Sequence, residues 1–221
     1  AIIMEGVVYV NGQKVDKAGT LLKIDSEILV KSSSLKYVSR GGLKLEGALK
    51  HFEVDVQNKI ALDIGASTGG FTDCVLQNGA SKVYALDVGH GQLDWRLRND
   101  DRVVVMEKVN ARHLKEGDIP EMVDIVVMDA SFISLTMLIA PSIMFLKPGG
   151  MLIALIKPQF EVGKGEVGKG GIVRDENKHE EVVQKITNHL EGINFNIKGV
   201  ITSTILGTQG NKEFVIVATK D

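Results

Sequence analysis

One cysteine, Cys74, stands among 221 residues, so no disulfide can close within this sequence. With only five scattered histidines (His51, His90, His113, His179, His189) beside it, no metal-ligand spacing is formed, and no metal is expected. Cys74 reads as a core residue. Aromatic residues are few, at 5%, and Trp95 and Phe132 read as packing groups rather than platforms for stacked bases. The longest strongly apolar stretch, Leu135 to Leu146, is too short to span a bilayer and is interrupted by Pro141. No cleavable signal opens the sequence, so a cytoplasmic chain without a membrane partner is expected. Repeats and low-complexity tracts are also missing.

Net charge is small, at −2, which argues against a uniformly nucleic-acid-binding surface. Its distribution is uneven. Residues 1–50 carry Lys14, Lys17, Lys23, Lys31, Lys36, Arg40, Lys44 and Lys50 against Glu5, Asp16, Asp25, Glu27 and Glu46, a balance of +3 that leaves −5 on the remainder. A basic front on an acidic body can steer a polyanion to one face, although the same asymmetry also suits an ordinary solvated surface.

What is present is an α/β pattern. Ala1 to Glu5 reads as the tail of a helix whose start is absent. Val7 to Val15 forms two β-rich runs around Asn11-Gly12, the strongest short hairpin signal, and Ile28-Leu29-Val30 supplies a third strand. This front has too few large apolar side chains for a core of its own. Residues 35–42 are basic and end in Arg40-Gly41-Gly42, as a linker would. Leu45, Ala48, Leu49 and Phe52 then recur at helical spacing. Strands are predicted near 59–64, 82–87, 102–106, 124–128 and 150–156, with crossover helices between them. Pro141 either opens the second part of the helix after Asp129 or kinks it. Asp175 is a plausible N-cap for a helix to about Leu190 that buries Val182, Val183, Ile186 and Leu190. Runs at 196–205 and 213–219 close the chain as a hairpin.

The segment Ile60 to Asp73 is the most informative: an apolar strand, a turn from Gly65 to Gly70 and the buried face of a helix at Phe71, Cys74 and Val75. Glycines let the backbone approach a ligand, and the exposed amides of the helix start attract an anionic group. Gly65-x-x-x-Gly69-Gly70 lacks both the G-x-G-x-x-G of dinucleotide binders and the Gly-Lys-Ser/Thr of a P-loop. Asp63, two residues before the first glycine, suits an ammonium, and Asp87 at the next strand end suits a ribose diol. S-adenosylmethionine combines these groups. Asp63, Gly65, Ser67, Gly69, Gly70, Asp87, Asn110 and Asp129 are therefore the candidate cofactor residues, with Asn110 near the adenine and Asp129 near the reactive end.

Ligands of an open parallel sheet bind beyond the carboxyl ends of its strands, where Asp63, Asp87, Asn110, Asp129 and Lys157 fall. Lys157 either faces the site mouth or is merely the first solvated residue after its strand. Lys44 alone could be an exposed helix charge, and Glu213 alone a capping acid.

Taken together, Lys44 in Ser39-Arg-Gly-Gly-Leu-Lys-Leu45, Asp129, Lys157 in Ile156-Lys-Pro-Gln-Phe-Glu161 and Glu213 in Gly210-Asn-Lys-Glu-Phe214 resemble the Lys-Asp-Lys-Glu tetrad of RNA ribose 2′-O-methyltransferases. The surrounding words most resemble the TlyA-type family, often labelled hemolysins, within the FtsJ-like group, over essentially the whole sequence. The resemblance implies a Rossmann-like class I methyltransferase sheet with a C-terminal antiparallel hairpin at 43–221, a linker at 35–42 and a partial, small α+β alpha-L RNA-binding module at 1–34. It further implies S-adenosylmethionine-dependent methylation of a cytidine ribose 2′-hydroxyl in ribosomal RNA, with RNA or ribosomal subunits as partners. A ribose hydroxyl is a poor nucleophile, so the site must orient it and remove its proton. Lys157 is the expected base or orienter, Lys44 the second ammonium, and Asp129 and Glu213 the carboxylates that position them. The tract Gly163 to Gly171 has five glycines and no side chain expected to pin them, so it should be mobile. Lys164, Lys169 and Arg174 there, with Lys36 and Arg40 on the linker, either contact RNA phosphates or are plain surface charges. Rival readings are methyl transfer to another acceptor, a ribosome-binding scaffold and, disfavoured by the missing amphipathic or spanning segment, a lytic protein.

Overall fold

The computed structural model describes residues 8–15, 17, 19–30, 36–163 and 165–221. Two compact units divide the chain, Ala1–Lys36 and Tyr37–Asp221. The expected helix tail at Ala1 to Glu5 lies outside the described residues.

In the first unit, β1 (Val8–Val10) and β2 (Gln13–Lys14) pair antiparallel. Asn11 and Gly12 between them take positive φ values of 48° and 80°, the left-handed pair that a two-residue hairpin turn requires. β3 (Ile28–Val30) pairs antiparallel with the other edge of β1. Val8 and Val10 are buried, whereas Leu21, Ile24, Ile28 and Leu29 are exposed, so this small sheet has little core of its own.

The second unit begins with α1 (Gly41–His51), followed by β4 (Ile60–Ile64), α2 (Gly70–Gln77), β5 (Lys82–Asp87), the short α3 (Trp95–Arg98), β6 (Val103–Glu107) and β7 (Val123–Met128). Then come α4 (Thr136–Ile143), β8 (Leu146–Ile156), α5 (Pro158–Glu161), α6 (Glu176–Glu191), β9 (Phe195–Thr202) and β10 (Phe214–Lys220). The seven strands lie in the order β6-β5-β4-β7-β8-β10-β9. The first five are parallel, and β10 inserts antiparallel between β8 and β9. The predicted terminal hairpin is therefore built into the main sheet.

Strand alternation sorts the core into two layers. Leu62, Ile64, Val126, Met128, Leu152 and Ile156 pack with Leu138 and Ile139 of α4 and Val182, Ile186 and Leu190 of α6. Ala61, Ile125, Val127, Ile153, Leu155 and Val215 pack on the other face with Leu45 and Leu49 of α1 and Phe71 and Val75 of α2. Each large aliphatic side chain so buried stabilises by ~1.5–3 kcal/mol, and a slip of one residue would exchange the layers, so the register is strongly determined. Cys74 is in the core.

Local signals act as the sequence predicts at α6, where the Asp175 side chain accepts from Asn177 N at 3.0 Å and caps the helix. Pro141 lies inside the last turn of α4. β8 starts at Leu146, ahead of the predicted 150, and extends through Pro148-Gly149-Gly150. Its pairing with β7 carries a register shift there, which accommodates the proline and glycines within a strand. The strand ends of β4, β5, β7 and β8 all open on one edge, where the polar residues gather.

Candidate active site

At the end of β4, Gly65 has φ +82°, and a Cβ there would meet Asp129 O at 3.0 Å and Ala130 N at 3.2 Å. Only a glycine lets this turn pass so close to the exit of β7. Gly65 N and Ala66 N donate to Leu86 O at 2.9 and 3.0 Å, which ties the turn to β5. Ser67 N then donates to Asp87 Oδ2 at 2.8 Å, and Gly89 N to Asp87 Oδ1 at 2.7 Å. Two backbone donors thus fix the Asp87 carboxylate at the rim of a cavity of about 360 Å³, whose lining includes Gly65, Ser67, Asp87, Asn110 and Asp129. The Asn110 side chain accepts from Arg112 N at 3.1 Å, which holds it in that wall.

Three candidate cofactor residues do not line this cavity, and packing explains each. A Cβ on Gly69, at φ +97°, would fall 2.2 Å from Leu97 Cδ1, and one on Gly70 would fall 2.2 Å from Ser39 Oγ and 2.9 Å from Gly42 N. These glycines admit neighbouring groups of their own unit, and the start of α2 abuts the start of α1. Asp63 lies wholly buried beneath the turn, on the α2 side, where Thr72 Oγ1 donates to its Oδ2 at 2.6 Å. Its Oδ1 is buried without a partner. Burial pushes the Asp63 carboxyl up to about 7, against the Thr72 hydrogen bond, and the charges of Asp129 and Asp87 raise it further.

The four tetrad candidates form two ion pairs. Lys157 Nζ lies 2.6 Å from Asp129 Oδ1, and Lys44 Nζ 2.6 Å from Glu213 Oε2. Lys157, directly after β8, is buried and so is not a solvated residue; Lys44 and Glu213 are buried as well. A Cβ on Gly41 would meet Asp129 Oδ2 at 3.4 Å, so the first turn of α1 that delivers Lys44 also abuts Asp129. Lys157 and Glu213 share a second cavity of about 320 Å³. Ser131 and Phe132 line both cavities and form the partition between them.

Several residues at this partition carried no clear sequence signal. Ser131 Oγ accepts from Lys157 Nζ at 2.8 Å, and Gln159 Nε2 donates to Glu213 Oε1 at 3.4 Å. Phe132, expected to be a packing group, does pack on Phe160 with ring centroids 4.9 Å apart, yet it is 89% exposed at φ +65°. A bulky side chain in the left-handed region is a backbone outlier and marks a constrained loop. The placement directly after Asp129 at a strand end was the available signal. Trp95, also expected to pack, is 71% exposed, because Leu93 and Leu97 fill the space beside Gly69.

The glycine tract has side-chain contacts at both of its ends. Glu166 accepts from Gly163 N at 2.7 Å and pairs with Lys178. Asn211, buried, accepts from Val173 N at 3.1 Å and donates to Gly171 O at 2.9 Å. Lys169 and Arg174 are exposed on it. Arg40 Nη2 donates to Leu206 O at 3.2 Å, Lys36 belongs to the first unit, and Lys164 lies outside the described residues. Among the described residues no group of acids, histidines and cysteine could hold a metal, and no helix is long and apolar enough to cross a membrane.

The chain matches the FtsJ-like methyltransferase family model over residues 37–220. It is 48% identical to YqxC of Bacillus subtilis, provisionally named an rRNA methyltransferase, over 97% of this chain and 76% of that one. It is 41% identical to the 16S/23S rRNA (cytidine-2′-O)-methyltransferase TlyA of Mycobacterium tuberculosis, over 97% of this chain and 81% of that one. A solved structure from Streptococcus thermophilus, provisionally named a hemolysin, superposes with a TM-score of 0.84 at 45% identity, over 99% of this chain and 80% of that one. A Rossmann-like sheet with an inserted antiparallel strand, two ion pairs at adjoining cavities and these likenesses lead to one assignment: the chain belongs to the FtsJ-like methyltransferase family, in the group that includes TlyA and the related hemolysin-named proteins.

Proposed function

We propose that the protein transfers the methyl group of S-adenosylmethionine to the 2′-hydroxyl of a cytidine ribose in ribosomal RNA. The observation that carries this reading is the pair of buried ion pairs, Lys157 with Asp129 and Lys44 with Glu213, beside two cavities that meet at Ser131 and Phe132. The first cavity suits the cofactor. Its volume is within the range of small-molecule sites, Asp87 offers acceptors to a ribose diol, and the charges of Asp129 and Asp87 add to burial in disfavouring ionised Asp63 until positive charge arrives. When bound, S-adenosylmethionine would supply an electrophilic methyl group on a sulfonium, whose sulfur is left as a neutral thioether when the methyl is transferred.

The second cavity takes the acceptor nucleoside. Lys157, held by Asp129 and Ser131, orients the 2′-hydroxyl toward the methyl group; as the neutral amine, its ammonium proton having first passed to solvent, it receives the hydroxyl proton as the new O–C bond forms. Lys44 and Glu213 keep the opposite wall charged and ordered. Exposed Phe132, beside Phe160, gives a base a ring to stack on at the entrance, and Lys169, Arg174, Arg40 and Lys36 contact phosphates. Residues 1–34 serve as the partial RNA-binding module, and the reaction takes place in the cytoplasm, where the ribosomal substrate resides.

The test is transfer of labelled methyl from S-adenosylmethionine to ribosomal RNA and to ribosomal subunits, with the product nucleoside identified. A 2′-O-methylated cytidine that disappears with Lys157→Ala is the expected result. Cofactor binding without transfer to any RNA would overturn the reading in favour of another acceptor or a scaffold role.

A further inference from the structure

Glu161 is an acid that the proposed chemistry does not use and that solvent does not reach, its side chain being 1% exposed. Three donors saturate it: Leu135 N reaches Oε1 at 2.7 Å, and Ser134 Oγ and Lys185 Nζ reach Oε2 at 2.6 and 3.0 Å. Lys185, from α6, also donates to the Glu161 carbonyl at 3.1 Å. A buried carboxylate is costly unless donors surround it, so this arrangement must secure something. α4 has no side-chain cap at Leu135, and Glu161 closes its start from a different segment.

The two segments it joins are those that leave the catalytic strands. One runs from Asp129 at the end of β7 to Leu135, and the other from Lys157 at the end of β8 to Glu161. They are crosslinked three times in matching order. Lys157 donates to Ser131, Phe160 packs on Phe132, and Glu161 binds Ser134 and Leu135. The middle crosslink holds Phe132 at φ +65°, a conformation a free loop would leave. Ser131 on one side of it reaches Lys157 only while Ser134 on the other side is anchored.

We propose that Glu161 is a positioning residue that fixes the Ser131-Phe132 partition against Lys157, so that the Lys157 amino group and the exposed ring are set by one frame. The inference rests on the proposed methyl transfer for its kinetic part, but the frame itself has a readout that does not need activity.

The experiment combines both on the full chain. With 4-fluorophenylalanine incorporated, the ¹⁹F resonances of Phe132 and Phe160 are assigned by Phe132→Leu and Phe160→Leu and followed in Glu161→Ala, Glu161→Gln, Ser131→Ala and the Ser131→Ala/Glu161→Ala double variant. Methyl transfer to ribosomal subunits is measured at saturating cofactor and RNA, and S-adenosylhomocysteine affinity by calorimetry. In Glu161→Ala both resonances collapse toward the free-residue position, and the transfer rate falls by roughly a hundredfold, the scale of a misplaced reacting group, while affinity for S-adenosylhomocysteine falls far less, because Gly65, Asp87 and Asn110 of the first cavity are untouched. Glu161→Gln, which still accepts from Leu135 but turns an amide toward Lys185, lies between. Because Ser131 and Glu161 act on the same contact, the double variant is no slower than the slower single one. Unmoved resonances in Glu161→Ala, or rate losses that multiply in the double variant, would overturn the proposal. Absence of transfer by the unaltered protein would instead overturn the functional reading, and the resonances would still decide the frame. If Glu161→Ala does not fold, Ser134→Ala, which removes one donor and spares the carboxylate, must move the same resonances in the same direction; no movement refutes the frame.

Discussion

Burial of Asp63 couples cofactor binding to pH in a direction opposite to its effect on stability. The carboxyl is pushed from 3.8 up to about 7, first by burial and then, beyond the relief from Thr72, by the charges of Asp129 and Asp87. Between those two pH values the folded chain holds a proton that the unfolded chain has released, so stability falls as pH rises from 4 to 7. The full difference is at most about 4 kcal/mol. Asp63→Asn retains an acceptor for Thr72 and carries no charge. It should therefore match the unaltered protein at pH 4 and exceed it at pH 8, with the melting temperature raised by roughly 10 °C for a domain of this size. Cofactor affinity should change in the other sense. The ammonium and sulfonium charges favour ionised Asp63, and below pH 7 each unit of acidity then weakens binding by up to about tenfold. Calorimetry between pH 5.5 and 7 in buffers of different ionisation enthalpy should show that loss together with proton release on binding, and Asp63→Asn should bind weakly at every pH. Affinity that stays flat across this range, or an asparagine variant no more stable at pH 8 than the parent, would refute the reasoning.

Further predictions concern single side chains of the site. Lys157→Ala should abolish methyl transfer while S-adenosylmethionine affinity by calorimetry is largely retained; near-normal turnover would remove Lys157 from its assigned role. Phe132→Ala should weaken RNA binding by ~1–3 kcal/mol, the worth of one stacked base, without altering thermal stability. An unchanged RNA dissociation constant would return Phe132 to the status of an exposed loop residue. Gly69→Ala should lower stability by ~1–3 kcal/mol in thermal unfolding, since its methyl group overlaps Leu97 Cδ1 at 2.2 Å on a backbone with φ +97°. An unchanged melting temperature would mean that Leu97 yields freely. Asn211→Ala should free Val173 N and Gly171 O at the end of the glycine tract, visible as faster amide exchange at Val173.

What was legible in the sequence is what an element repeats along its length. The strands at β4, β5, β6 and β7 and the capped helix α6 follow from apolar runs, a 3.6-residue period and Asp175, because many side chains vote for the same answer. The site residues at strand ends follow from the same pattern, since Asp87, Asp129 and Lys157 each interrupt or end an apolar run. The glycine turn shows where this logic stops. Gly65, Gly69 and Gly70 look alike in spacing, yet Gly65 is required by the close passage of Asp129 and Ala130, Gly69 by Leu97 and Gly70 by Ser39. Each reason lies in a partner distant along the chain, so only Gly65 borders the cavity. The exposure of Phe132 was hidden for the same cause. An aromatic residue between Ser131 and Ile133 is indistinguishable from a core residue until Phe160 and Glu161 hold its loop at φ +65° and turn the ring outward. At the glycine tract, composition alone could not show the contacts made by Glu166 and Asn211, one inside the tract and one far beyond it. Periodicity reports interactions averaged over an element, whereas the partition between these two cavities depends on single long-range pairs. The chemistry therefore rests on the part of the fold that local sequence determines least, and substitutions at Ser131, Glu161 or Asn211 should separate catalysis from folding more cleanly than substitutions in the strands.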